Sequence, residues 1–131
     1  MFRAMLVLAA AGALALPAVA SAKPATFTAQ AYQTSDTHSG NTQHFTETLK
    51  VGGKVVGHDK IACKIAAASA HCTATFTFAT GTFTVSGPLN PSKTKNTLAI
   101  VGGTGAYKGA KGVMHLNFLS ATHAVETYVF S

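Results

Sequence analysis

The sequence predicts an all-β domain of eight antiparallel strands, closed as a barrel or packed as a two-sheet sandwich. Three observations predict it. Beyond Lys23, helical periodicity is nearly absent, whereas apolar and polar residues alternate at period two throughout. The alternating runs are rich in Thr, Val and Phe, residues that suit a pleated, half-buried surface. Turn-forming clusters interrupt them at short, regular intervals.

Strands are expected over 25–33, 43–51, 58–65, 71–79, 81–86, 96–101, 111–119 and 122–130. The intervening turns fall at 34–41, at Gly52-Gly53, at 66–70, at 87–95 and in the glycine-rich stretch from Gly102. Pro88 and Pro91 place the 87–95 segment in a loop, because proline cannot donate to a ladder.

The segment before the domain has another character. Arg3 precedes an apolar run from Ala4 to Leu16, and Ala20-Ser21-Ala22 offers small residues for cleavage. That is the layout of a secretory signal peptide over 1–22, too short in its apolar run for a comfortable span. The expected mature domain is 23–131, secreted or extracytoplasmic, with no membrane anchor after cleavage.

Without Arg3 the domain carries nine lysines and no arginine against four acids. The lysines are scattered rather than interleaved with aromatics. Nucleic-acid binders exploit the planar fork of arginine, so its absence argues against a nucleic-acid partner. The two cysteines, Cys63 and Cys72, form an even set in an exported chain and read as a disulfide. If 58–65 and 71–79 pair as a hairpin around Ala67-Ala68, the two cysteines lie opposite each other on one face.

The stretch "IVGGTGAYKGAKG", Ile100 to Gly112, raises the question of phosphate binding. Gly103 and Gly105 supply G-x-G, but the next glycine arrives at Gly109, one position late for a dinucleotide fingerprint. Lys108 is followed by Gly109 rather than Ser or Thr, and an alternating strand-like run follows rather than a helix. The stretch therefore reads as a structural turn, built on Gly102, Gly103, Thr104 and Gly105, with Tyr107 able to plug one barrel end.

From Ala99 to Gly112 the sequence closely resembles the VVGGTG-type segment of dirigent proteins and the related allene oxide cyclase barrel-like proteins. Upstream, "VVGHDKIAC" (Val55 to Cys63) followed by Cys72 is similar to the paired-cysteine region of exported bacterial members. The resemblance implies an eight-stranded antiparallel β-barrel with a central pocket, a trimer in plant members, and chemistry that steers a reactive small molecule. Dirigent pockets commonly use arginine, which this domain lacks.

Three of the four acids fall on apolar strand faces. Glu47 alternates with Phe45 and Leu49, Asp59 with Ile61 and Cys63, and Glu126 with Ala124, Tyr128 and Phe130. Inward carboxyls are costly unless paired, hydrogen-bonded or protonated, and such a setting raises their pKa toward neutrality. They are the candidate catalytic residues, in a pocket whose expected walls are Phe45, Phe76, Phe78, Met114 and Tyr128. Asp59, at the start of its expected strand, is also read as a strand-end residue whose face carries little meaning.

The six histidines hold no H-x-H or H-x-x-x-H pair, and no metal or other cofactor is expected. The expected function is to bind a small hydrophobic molecule and guide its cyclisation or coupling without a cofactor. The alternative is a non-catalytic binding or structural barrel with a filled interior.

Overall fold

The computed structural model describes residues 24–131, so the signal peptide expected over 1–22 lies outside the described residues. Eight strands follow in order: β1 Phe27–Ser39, β2 Thr42–Val51, β3 Lys54–Ala66, β4 Ser69–Phe78, β5 Gly81–Leu89, β6 Lys95–Gly105, β7 Gly112–Phe118 and β8 His123–Phe130. Each pairs antiparallel with the next, and β1 returns to β8 from Phe27↔Tyr128 to Tyr32↔His123, which closes the sheet. The pairing of first and last strands decides between the two expected architectures. The fold is a barrel.

Closure gives every strand a partner on both sides and, within the barrel wall, turns alternate residues inward. Along β8 the alternation is complete: Ala124, Glu126, Tyr128 and Phe130 are buried, and their neighbours are less so. The outer face carries lysines and hydroxyl ladders, such as Thr82 with Thr104 at 2.8 Å and Thr28 with Thr127 at 2.9 Å.

Four strand limits differ from expectation by three residues or more. β1 runs on to Ser39 because a bulge at Thr34 resets the register between Gln33 and Ser35. β3 begins at Lys54, which makes Asp59 a mid-strand residue with a defined face. β5 continues through Pro88 to Leu89, correcting the loop expected over 87–95; the connection is 90–94. Pro88 lies past the last β5–β6 pair, Ser86↔Ala99, so β5 there behaves like an edge strand, where proline is tolerated.

The glycine segment is the fourth. Gly102 to Gly105 are not the turn itself but the end of β6, paired with Gly81 to Thr84 after a bulge at Val101. The turn follows, held by Tyr107 N–H donating to Thr104 O at 3.0 Å and Ala110 N–H to Tyr107 O at 2.9 Å. Gly105 is required on two counts: its φ is +60°, and a Cβ there would sit 2.6 Å from the Thr80 carbonyl oxygen.

Cys63 and Cys72 are directly opposite in the β3–β4 register and form the expected disulfide. Such a bond fits an oxidising compartment. By loop-closure entropy it contributes about 3 kcal/mol, so replacing both cysteines by alanine should lower the unfolding free energy by that amount. Urea titration of the two proteins checks it, and an unchanged midpoint would mean the bond only decorates a hairpin that holds its register unaided.

Candidate functional site

The two ends of the barrel differ. At the end where β4 meets β5 and β6 meets β7, seven aromatic rings fill the interior. Phe83 stacks on Phe76 with centroids 5.2 Å apart and meets Tyr107 edge-on at 5.0 Å, Tyr128 at 5.1 Å and Phe130 at 5.4 Å. Phe78 and Phe27 complete the plug. Tyr107 is buried here, in the role its place after the glycines suggested.

The opposite end is open. A cavity of about 340 Å³ is bounded by Gln33, Gln43, Phe45, Ile65, Leu89 and Phe118, with Glu47 at its inner limit. Beyond Glu47 a recess of about 40 Å³ continues between Phe76, Met114, Leu116 and Glu126. The interior is thus half filled and half open.

Between plug and cavity sit the three acids. Glu47 on β2 is the register partner of Asp59 on β3, and Glu126 reaches them from β8. One oxygen from each lies within 4.8 Å of the others, and all three residues are buried. Tyr128, two residues beyond Glu126 on the same face, donates its hydroxyl to Glu126 Oε1 at 2.7 Å. Both oxygens of Asp59 and Oε1 of Glu47 are buried without a hydrogen-bond partner.

That arrangement cannot stand as three carboxylates. Ionised oxygens only accept, so within the protein itself the orphaned atoms find donors if protons are shared among the acids. Burial, then the charge of Glu47, raises Asp59 from an ordinary 3.8 to about 11. Burial and the Glu47 charge raise Glu126 from 4.5 to about 8, against the Tyr128 hydrogen bond, which lowers it. Glu47 is raised mainly by burial, opposed by the hydrogen bonds that protons shared with Asp59 and Glu126 would supply. Burial, then the charge of Glu126, holds the Tyr128 phenol well above 10. No lysine enters any of these shifts.

The expected catalytic residues are therefore brought together, and the expected pocket walls are divided. Phe45 lines both cavity and recess, while Phe76 and Met114 line the recess only. Phe78 and Tyr128 belong instead to the plug, where Tyr128 holds Glu126 rather than facing the open cavity. Gln33, Gln43, Leu89 and Phe118 were not foreseen as walls. Phe118 and Gln33 do continue the inward alternation of Met114–Leu116 and Ala29–Ala31, whereas Leu89 was hidden in a segment read as loop.

The acids are also a group that could hold a metal ion. Three carboxylates can offer up to six oxygens to a hard cation, and shared protons can meet the same oxygens.

The class the geometry defines is a closed antiparallel barrel, plugged at one end and open at the other over a carboxyl cluster. Over residues 18–130 the sequence matches the allene oxide cyclase barrel like domain, and the chain belongs to that family. No curated protein matches it. Among solved structures it is similar to a pyocyanin demethylase, with a TM-score of 0.71 and 22% identity over 81% of this chain and 99% of that one. A nonspecific heme-binding cyclase that catalyses a 4 + 2 cycloaddition during neoabyssomicin biosynthesis gives a TM-score of 0.62 and 13% identity, covering 98% of this chain and 78% of that one. The Diels Alderase AbmU from Streptomyces koyangensis gives 0.62 and 16%, covering 98% and 83%. At these identities the likeness concerns the fold.

Proposed function

We propose that this is an exported barrel that takes a small, mostly apolar molecule through its open end and promotes a cofactor-independent rearrangement of it, such as a cyclisation. The observation that carries the reading is the gathering of three buried carboxyls at and behind Glu47, which lines a mostly apolar cavity. Phe45, Leu89 and Phe118 would hold the ligand folded. Glu47, which faces the cavity, would donate or accept a proton, with Asp59 and Glu126 as its reservoir. Tyr128 positions Glu126. Two structural neighbours are ring-forming cyclases, which supports a reaction governed by shape and proton placement.

The test is native mass spectrometry of the protein purified gently from the medium of its own host. A small molecule released on denaturation would identify the ligand, and incubating it with wild-type protein and with Glu47→Gln would follow. Turnover is expected to fall at least about 100-fold in the variant while binding persists. Equal rates in both would move the protein to the non-catalytic reading. Failure to retain any ligand, native or added, would exclude the pocket as a binding site.

A further inference from the structure

Among the described residues the interior acids have no lysine partner, although residues 23–131 carry nine lysines. Alternation sends Lys50, Lys60 and Lys64 outward on the very strands that send Glu47 and Asp59 inward. Asp59 is fully buried and both its oxygens lack a partner, so the site retains unused accepting capacity. The neighbouring cavity ends at Glu47 and is lined mostly by apolar side chains such as Phe45, Leu89 and Phe118, with Gln33, Gln43 and His123 among its polar members, His123 being engaged by Gln30 Oε1 at 2.6 Å.

Resting on the binding reading above, we infer that the ligand this cavity selects is an apolar ring system bearing a basic nitrogen, which enters nitrogen-first and pairs with the Glu47–Asp59–Glu126 cluster. A protonated nitrogen brings the donors these oxygens lack. It also brings the opposite charge that removes the mutual repulsion of carboxylates within 4.8 Å of one another. A neutral hydrocarbon would leave the cluster as it is. A carboxylate ligand would add a fourth acid to it.

The exchange balances as a proton transfer. The ammonium arrives carrying its proton, one carboxyl gives up its own to solvent, and an ion pair remains. Glu126, raised only to about 8, gives up a proton near neutral pH more readily than Asp59. Tyr128 already stabilises the resulting carboxylate by its hydrogen bond. The remaining protonated carboxyls then serve as neutral donors around the pair. Phe45, which lines both cavity and recess together with Glu47, adds an aromatic wall for the cation.

Three naphthalene probes of nearly equal size separate the terms: 1-(aminomethyl)naphthalene, 1-ethylnaphthalene and 1-naphthoate, titrated at pH 7 by their own fluorescence. The amine is expected to bind at least about tenfold tighter than the ethyl compound, with naphthoate weakest. Calorimetry in two buffers of different ionisation enthalpy should show proton release with the amine alone. Glu126→Gln should erase the amine's advantage and its proton release while leaving ethylnaphthalene binding intact. If ethylnaphthalene binds as well as the amine, the nitrogen assignment is overturned and the pocket stands. If none of the three binds, the pocket reading falls, and this inference with it.

Discussion

Between pH 5 and pH 8 the thermal midpoint of this protein is expected to fall by about 10 °C or more, with stability greatest on the acidic side. The cause is the carboxyl cluster. In the unfolded chain Asp59 and Glu126 release their protons near pH 4. In the fold they keep them, up to about 11 for Asp59 and about 8 for Glu126. The folded state therefore binds more protons through the neutral range, and stability must decline as pH rises. The contribution of the protonated form is fully present below pH 4 and is lost progressively toward pH 8 and beyond.

Each group protonated only in the fold adds a slope of about 1.4 kcal/mol per pH unit. A fall of 10 °C requires only about 2 kcal/mol in a domain of this size, well within the reach of one such group. Asp59→Asn should flatten the slope by about one group's share and raise the midpoint at pH 8. The amide replaces an acid by a group that cannot ionise and can donate to Glu47. Calorimetric scans of both proteins across the range check it. A wild-type midpoint that holds level or rises from pH 5 to 8 would show that the acids are ionised in the fold, and with that the protonated cluster disappears as a source of chemistry.

The acids were legible in the sequence because strand alternation is a strong constraint: with period two, Glu47 between Phe45 and Leu49 has only one inward choice. Their convergence was not legible. It depends on the β2–β3 register, which sets Glu47 opposite Asp59, and on barrel closure, which carries β8 across to meet them. The open end was hidden for a related reason. Leu89 follows Pro88, and proline argues against a strand unless one knows that β6 has already parted from β5 at that point. Phe78 and Tyr128, expected as pocket walls, lie among the plug rings because alternation reports the side of the sheet but not the height along the barrel axis. Both residues do point inward, but into the closed half.

Phe83→Ala is expected to destabilise the protein by about 3–5 kcal/mol, against at most about 1.5 kcal/mol for Phe45→Ala. The two phenylalanines differ in position, not in chemistry. Phe83 is fully buried and touches the rings of Phe76, Phe78, Tyr107, Tyr128 and Phe130, with centroids between 5.0 and 5.6 Å. Several of those contacts are edge-to-face or stacked pairs, whose geometry adds to the area they bury. Its removal leaves a hole that a closed sheet cannot collapse to fill, because the strand spacing is fixed by the ladder. Phe45 is only partly buried and borders space that is already open. Denaturant titrations give both values directly. The plug also carries a functional consequence, since Tyr128 belongs to it and holds Glu126 in place. A loosened plug in Phe83→Ala should therefore blunt the pH dependence of stability as well as lower its level. If the substitution costs under 1 kcal/mol and leaves the pH profile unchanged, the aromatic floor neither supports the barrel nor positions its acids.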